Sequence, residues 1–302
     1  MYMELEQQLE SVSATLTPVQ WPLSWPLESW DVQAPALDLP DAPPAEEDHL
    51  LDGLLSMLEY YPRDLESYIR VQQALLPEQP PALAKTEMAV RYLPMMGVSG
   101  DYYDFLPLHE GQVGLAVGDV CGKGMEAALL MLSVCAVLRA QVQTVPAAGE
   151  LLAHLNTIMC RYTPKHQFMT LAYGIWDASA HTFTYSRAGH PPVLHYQAST
   201  GRVSKLNAGS IVLGVYEEIE YPTESVSLER GDALVLYTDG ITEASNADDE
   251  IFGIDRLGDV VAAHGGESPE ALATAILTTA SQFAHQGWED DVTLVVVKTV
   301  EA

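Results

Sequence analysis

The sequence predicts an α+β domain of stacked sheets and helices, entered through a helical segment and an acidic arm. Two observations carry that reading. The 302-residue chain is 48% hydrophobic, enough to fill a sizeable core. Beyond residue 85, strand patterns come in groups and helix patterns in pairs, which favours layered α+β packing over a regular βαβ array.

The first fifty residues hold ten acids and no Lys or Arg, seven of the nineteen prolines, and Trp21, Trp25 and Trp30. Proline fixes φ and removes a donor, so neither a long helix nor a sheet is expected there. Residues 1–47 read as a Pro/Trp-rich arm, either a solvated tail or one whose tryptophans anchor in a groove. Next, Leu51, Leu54, Leu55 and Leu58 recur at helical spacing, as do Leu65, Ile69 and Leu76. Pro62 suits the first turn of a second helix, and Pro77, Pro80 and Pro81 close the segment. Residues 48–80 are therefore expected to form two short amphipathic helices, packing on the domain or on a second chain.

Residues 81–302 form the main domain. The stretch QVGLAVG (112–118) puts Val113, Leu115 and Val117 on one face and small residues on the other, a buried strand in close contact with a neighbour. Helices are expected over 123–140 and 149–161. Strands follow over 168–176, 182–187, 193–196, 233–237 and 292–297, with a helix over 269–283 before the last.

Fourteen basic against forty-two acidic residues give a net charge of −28. That excludes a basic nucleic-acid-binding surface and a polybasic membrane anchor. Cys121, Cys135 and Cys160 lack CxxC spacing and fit a reducing compartment. The start MYMELEQQLE has no positive n-region, and the longest apolar run, AALLMLSVCAVL, is too short for a bilayer. A cytoplasmic protein is expected, without membrane insertion.

Aspartates beside glycine or a second aspartate recur at strand ends: Gly100-Asp101, Gly118-Asp119, Asp239-Gly240 and Asp290-Asp291. One alone is an ordinary turn residue. Four brought together would repel one another, and a hard divalent cation resolves that repulsion. His190 and His195 are isolated and read as structural. The run 118–124 fails as a nucleotide-binding loop, since its spacing is short and Gly124 stands where Ser or Thr would hold magnesium.

Ser99-Gly-Asp-Tyr-Tyr-Asp-Phe105, Gly118-Asp-Val-Cys-Gly-Lys-Gly124, Ala188-Gly-His-Pro-Pro192, Leu236-Tyr-Thr-Asp-Gly-Ile-Thr-Glu-Ala244 and Asp290-Asp-Val-Thr-Leu294 together resemble the metal-dependent PPM (protein phosphatase 2C type) serine/threonine phosphatases. The likeness is to their bacterial RsbU/SpoIIE branch and covers roughly residues 70–300. It implies an α-β-β-α sandwich, two antiparallel sheets flanked by helices, with two Mn2+ or Mg2+ ions at one edge. By resemblance the ligands are Asp101, Asp119, the carbonyl of Val120, Asp239 and Asp290, with Gly100, Gly240 and Asp291 in support. No side-chain nucleophile is implied, because water activated between two ions attacks phosphorus. The implied substrate is a phosphorylated protein, by analogy a STAS-type anti-sigma-factor antagonist. Residues 1–80 would serve a regulator or a homodimer partner. Two departures stand out: Met96 occupies the place of a common arginine, and Cys121 that of a smaller residue. A catalytically silent binding module of the same fold is the alternative, and a small-molecule phosphatase a third reading.

Overall fold

The computed structural model describes residues 65–300 apart from 110, 146 and 286. The acidic arm and the helix expected before Pro62 lie outside the described residues. Helix α1, residues 65–75, lies where the second short helix is expected. Gln72 and Leu76 are buried on its inner side, and Ile69 packs so closely over Gly97 that a β-carbon there would meet it at 2.7 Å.

The main domain follows as β1 (Thr86–Leu93), β2 (Asp101–Pro107), β3 (Gln112–Val120), α2 (Met125–Gln141), α3 (Ala148–Tyr162), β4 (Met169–Asp177), β5 (Thr182–Ala188), β6 (Val193–Gln197), β7 (Arg202–Leu206), β8 (Gly209–Ser210), β9 (Glu224–Ser227), β10 (Ala233–Tyr237), α4 (Asp239–Thr242), α5 (Gly253–His264), α6 (Pro269–Phe283) and β11 (Val292–Thr299). One sheet runs β1-β11-β10-β6-β7. The other runs β2-β3-β4-β5-β8, with β9 also on β5.

The strand sequences explain the layering. Along β11, Val295 and Val297 join the core between the sheets, whereas Val292, Leu294 and Val296 face the layer of α5 and α6. This period-two split makes the whole strand buried, because both faces are covered. Met131 and Leu138 of α2 and Leu151 and Leu155 of α3 cover the outer face of the second sheet. The result is the expected α-β-β-α sandwich.

Several elements land where the pattern puts them: β10 and α6 have the expected limits. Gly118 of β3 has its neighbour too, since a β-carbon there would lie 2.6 Å from the Thr170 carbonyl oxygen of β4. Helix α2 starts two residues late. Gly122 and Gly124 have φ of 93° and 74°, left-handed backbone that keeps Lys123 in a loop and ends the turn at Gly124. The pattern reading does not place β1, β2, α5 or the short strands β7–β9. Strand β9 is largely exposed and β7 buries only Leu206, so both carry little apolar signal.

Candidate active site

The antiparallel register of β2 and β3 sets Asp101 directly opposite Asp119. The other carboxylates come from the first sheet. Strand β10 runs out at Tyr237 and Asp239 opens α4, while Asp290 and Asp291 immediately precede its neighbour β11. Two threonines stitch the sheets together here. Thr238 and Thr293 donate to Asp101 Oδ2 at 2.7 and 2.6 Å, and the Thr293 amide donates to Thr238 Oγ1 at 3.0 Å. Asp101 is thereby fixed in orientation although it is almost fully buried.

Asp291 works on the backbone. Its carboxylate accepts the Met95 amide at 2.7 Å, the Ser99 hydroxyl at 2.7 Å and the Gly100 amide at 3.3 Å, so it holds the segment leading into Asp101. Asp290 points elsewhere: Oδ1 accepts the Asp291 amide at 2.8 Å and Oδ2 meets Lys123 Nζ at 2.9 Å. The two glycines of the motifs make room. A β-carbon on Gly240 would stand 2.1 Å from the Asp291 carbonyl oxygen, and one on Gly100 3.0 Å from that of Val120. The Val120 amide in turn donates to the Gly100 carbonyl.

Burial and crowding make the cluster reluctant to carry its full negative charge. Desolvation first, then Asp101, Asp239, Asp290 and Asp291, push the Asp119 carboxyl up to about 9. Desolvation, with Asp291 and Asp239 adding to it against the two threonine hydrogen bonds, raises Asp101 to about 7. Asp239 is raised by burial and by Asp290, and Lys123 opposes the shift. Such an all-oxygen, mutually repelling donor set suits a hard divalent cation, which returns the missing positive charge. Among the described residues no three Asp, Glu, His or Cys side chains form a ready-made metal cage. Asp101 Oδ2 is turned to its threonines and Asp290 Oδ2 to Lys123.

The cluster has a cation of its own at its rim: Lys123 reaches Asp290 from the turn before α2. The motifs contain Ser99, Thr238 and Thr293 but assign them no role, and Gln72 of the preceding helix is given none either. The Thr238-Asp239 dipeptide was the available signal for Thr238, and no sequence signal joins Thr293 to Asp101. Arg91, near the place of the absent arginine, pairs with Glu270 of α6, and Met96 is exposed. Cys121 is half-buried, and its Sγ accepts the Phe168 amide at 3.1 Å. His190 is buried with Nδ1 2.9 Å from Thr170 Oγ1, and His195 faces Asp232 at 3.0 Å.

A two-sheet sandwich flanked by helices, with carboxylates gathered where the sheets meet, defines the class of PP2C-type phosphatase folds. The SiaA-PP2C domain of Pseudomonas aeruginosa superposes with a TM-score of 0.72 at 19% identity, covering 80% of this chain and 98% of that one. The RsbU and RsbW domains of Rv1364c from Mycobacterium tuberculosis match at TM-score 0.61 and 29% identity, over 70% of this chain and 59% of that one. The phosphoserine phosphatase RsbU of Bacillus subtilis (strain 168) is 28% identical over 235 residues, 78% of this chain and 70% of RsbU. The family model of stage II sporulation protein E (SpoIIE) matches residues 109–300, and the chain belongs to the SpoIIE family.

Proposed function

We propose that the protein is a metal-dependent phosphatase that removes phosphate from serine or threonine on a regulatory protein. The observation that carries this reading is the gathering of Asp101, Asp119, Asp239 and Asp290 from both sheets around one edge. Asp101, Asp119, Asp239, Asp290 and the Val120 carbonyl would hold two divalent ions, Mn2+ or Mg2+. Magnesium and manganese accompany the related fold in the structures of RsbX and PstP. Bound there, such ions lower the pKa of water towards neutrality and offset charge on the phosphoryl oxygens.

The chain's own groups do the rest. Thr238 and Thr293 aim Asp101; Asp291 fixes residues 95–100; Gly100 and Gly240 let the backbones close up. Lys123 takes the place of the missing arginine as a cation for substrate phosphate, since its ammonium already stands at the cluster's rim and its side chain is half exposed. The proposed partner, carried by the resemblance to the RsbU/SpoIIE branch, is a phosphorylated anti-sigma-factor antagonist of the STAS type. Among the described residues no helix is long and apolar enough to cross a membrane.

The test is hydrolysis of a phosphorylated STAS-type protein with Mn2+, with EDTA, and by Asp119→Asn and Asp239→Asn. Activity should need the metal, and each variant should lose roughly 100-fold or more in kcat/KM. Metal-independent turnover, or full activity in both variants, would sink the proposal, and no turnover at all favours the silent module. A Lys123→Met variant should raise KM for the phosphoprotein more than it lowers kcat.

A further inference from the structure

Gln72 sits in the middle of α1, 27 residues before Ser99, yet it is 2% exposed. Burying a primary amide in an apolar setting is unfavourable unless both its ends are satisfied. Both are satisfied by one residue. Gln72 Nε2 donates to the Ser99 carbonyl at 2.8 Å, and the Ser99 amide donates to Gln72 Oε1 at 3.0 Å. The pairing copies one rung of an antiparallel ladder, with a side-chain amide standing in for a strand.

What Ser99 does next gives the clip its reach. Its hydroxyl donates to Asp291 Oδ2 at 2.7 Å and accepts the Asp101 amide at 2.9 Å. One serine therefore links α1 to the backbone of Asp101 and to the carboxylate that holds residues 95–100. The end of α1 is itself anchored to the domain. Arg139 of α2 donates to the Leu75 carbonyl at 2.7 Å, and the Tyr103 hydroxyl to that of Pro77 at 2.7 Å. The helix is thus held at a defined height, and Gln72 transmits that height to the segment carrying Asp101.

A purely structural amide would need only some partner. Gln73, its neighbour, is exposed and faces away. Resting on the phosphatase reading, we propose that Gln72 is a positioning residue: through Ser99 it sets the Asp101–Asp291 pair and so tunes divalent-cation binding and turnover.

The experiment measures Mn2+ binding by titration calorimetry on the full chain, beside phosphoprotein kinetics and thermal melting. It compares wild type, Gln72→Met, Ser99→Ala, the double variant, and Gln73→Met as a control. Gln72→Met should weaken Mn2+ roughly 10-fold, as loss of an outer partner of a metal site does, and lower kcat with KM for the phosphoprotein unchanged. Ser99→Ala keeps the backbone groups that Gln72 grips but cuts the relay, so it should weaken Mn2+ similarly. The double variant should be no more than about twofold worse than either single one, and Gln73→Met should match wild type.

The proposal is overturned if Gln72→Met binds Mn2+ within about twofold of wild type while melting lower, or if the two single effects simply multiply. Should Gln72→Met not fold, Ser99→Ala decides alone, and unchanged Mn2+ binding there overturns it. A wild-type chain that binds no Mn2+ overturns the phosphatase reading itself, a result distinct from equal binding by wild type and variant.

Discussion

At Gly240 a single methyl group would collide with the Asp291 carbonyl oxygen at 2.1 Å. Neither partner is a flexible side-chain end, so Gly240→Ala should cost about 1–3 kcal/mol, read as a lower urea midpoint. Thr293→Val keeps shape but removes a donor from buried Asp101. Its expected cost is about 1–3 kcal/mol, and weaker Mn2+ binding should accompany it. Residue-scale chemistry was legible for the aspartates and glycines, because Asp-Gly at a strand end is a short, local pattern. The threonines were not legible as partners. A hydroxyl meeting a carboxylate 192 residues away leaves no mark on either local sequence.

Helix α2 illustrates what an element adds. Its last turn places Arg139 Nε 2.7 Å from Asp104 Oδ2, and Asp104 also accepts the Tyr102 hydroxyl at 2.6 Å. Asp104 is nearly inaccessible while Arg139 is about a third exposed. Arg139→Met would strand a buried carboxylate and free the Leu75 carbonyl. Screening at the exposed guanidinium keeps the expected loss to about 2–3 kcal/mol, measured by equilibrium denaturation. Elements with long apolar periods, such as β10, β11 and α6, could be read directly. Helix α5 could not: Gly253 and Gly258 dilute a short stripe whose buried members are only Leu257 and Val261.

Over the whole molecule, pH acts through groups that folding has moved. Burial pushes the His190 imidazole down to about 3, with Arg187 adding to the effect. Below its ordinary value of 6.5 the unfolded chain takes up a proton that the folded chain refuses. Its contribution to stability is therefore intact above pH 6.5 and falls as pH drops towards 3, by about 1.4 kcal/mol per pH unit. The difference in unfolding free energy between wild type and His190→Gln should shrink along that slope between pH 6.5 and 4.5. A pH-independent difference would show that His190 does not titrate this way. Divalent cation should stabilise the fold by mass action, by about 2.7 kcal/mol at a hundred times its dissociation constant, seen as a rise in melting temperature that EDTA reverses.

The −28 charge first spoke only against nucleic acid and anionic membranes. Placed in space, part of it becomes a cluster that burial makes unwilling to ionise. The sequence by itself determined the layered α+β class and the aspartates at strand ends, because alternation and Asp-Gly turns are local and periodic. Only the tertiary structure decided that Asp101 meets Asp119 across a ladder, that two threonines tie it to the other sheet, and that Gln72 and Lys123 reach the same edge. Those contacts depend on register and on the stacking of two sheets, and no short stretch of chain encodes either.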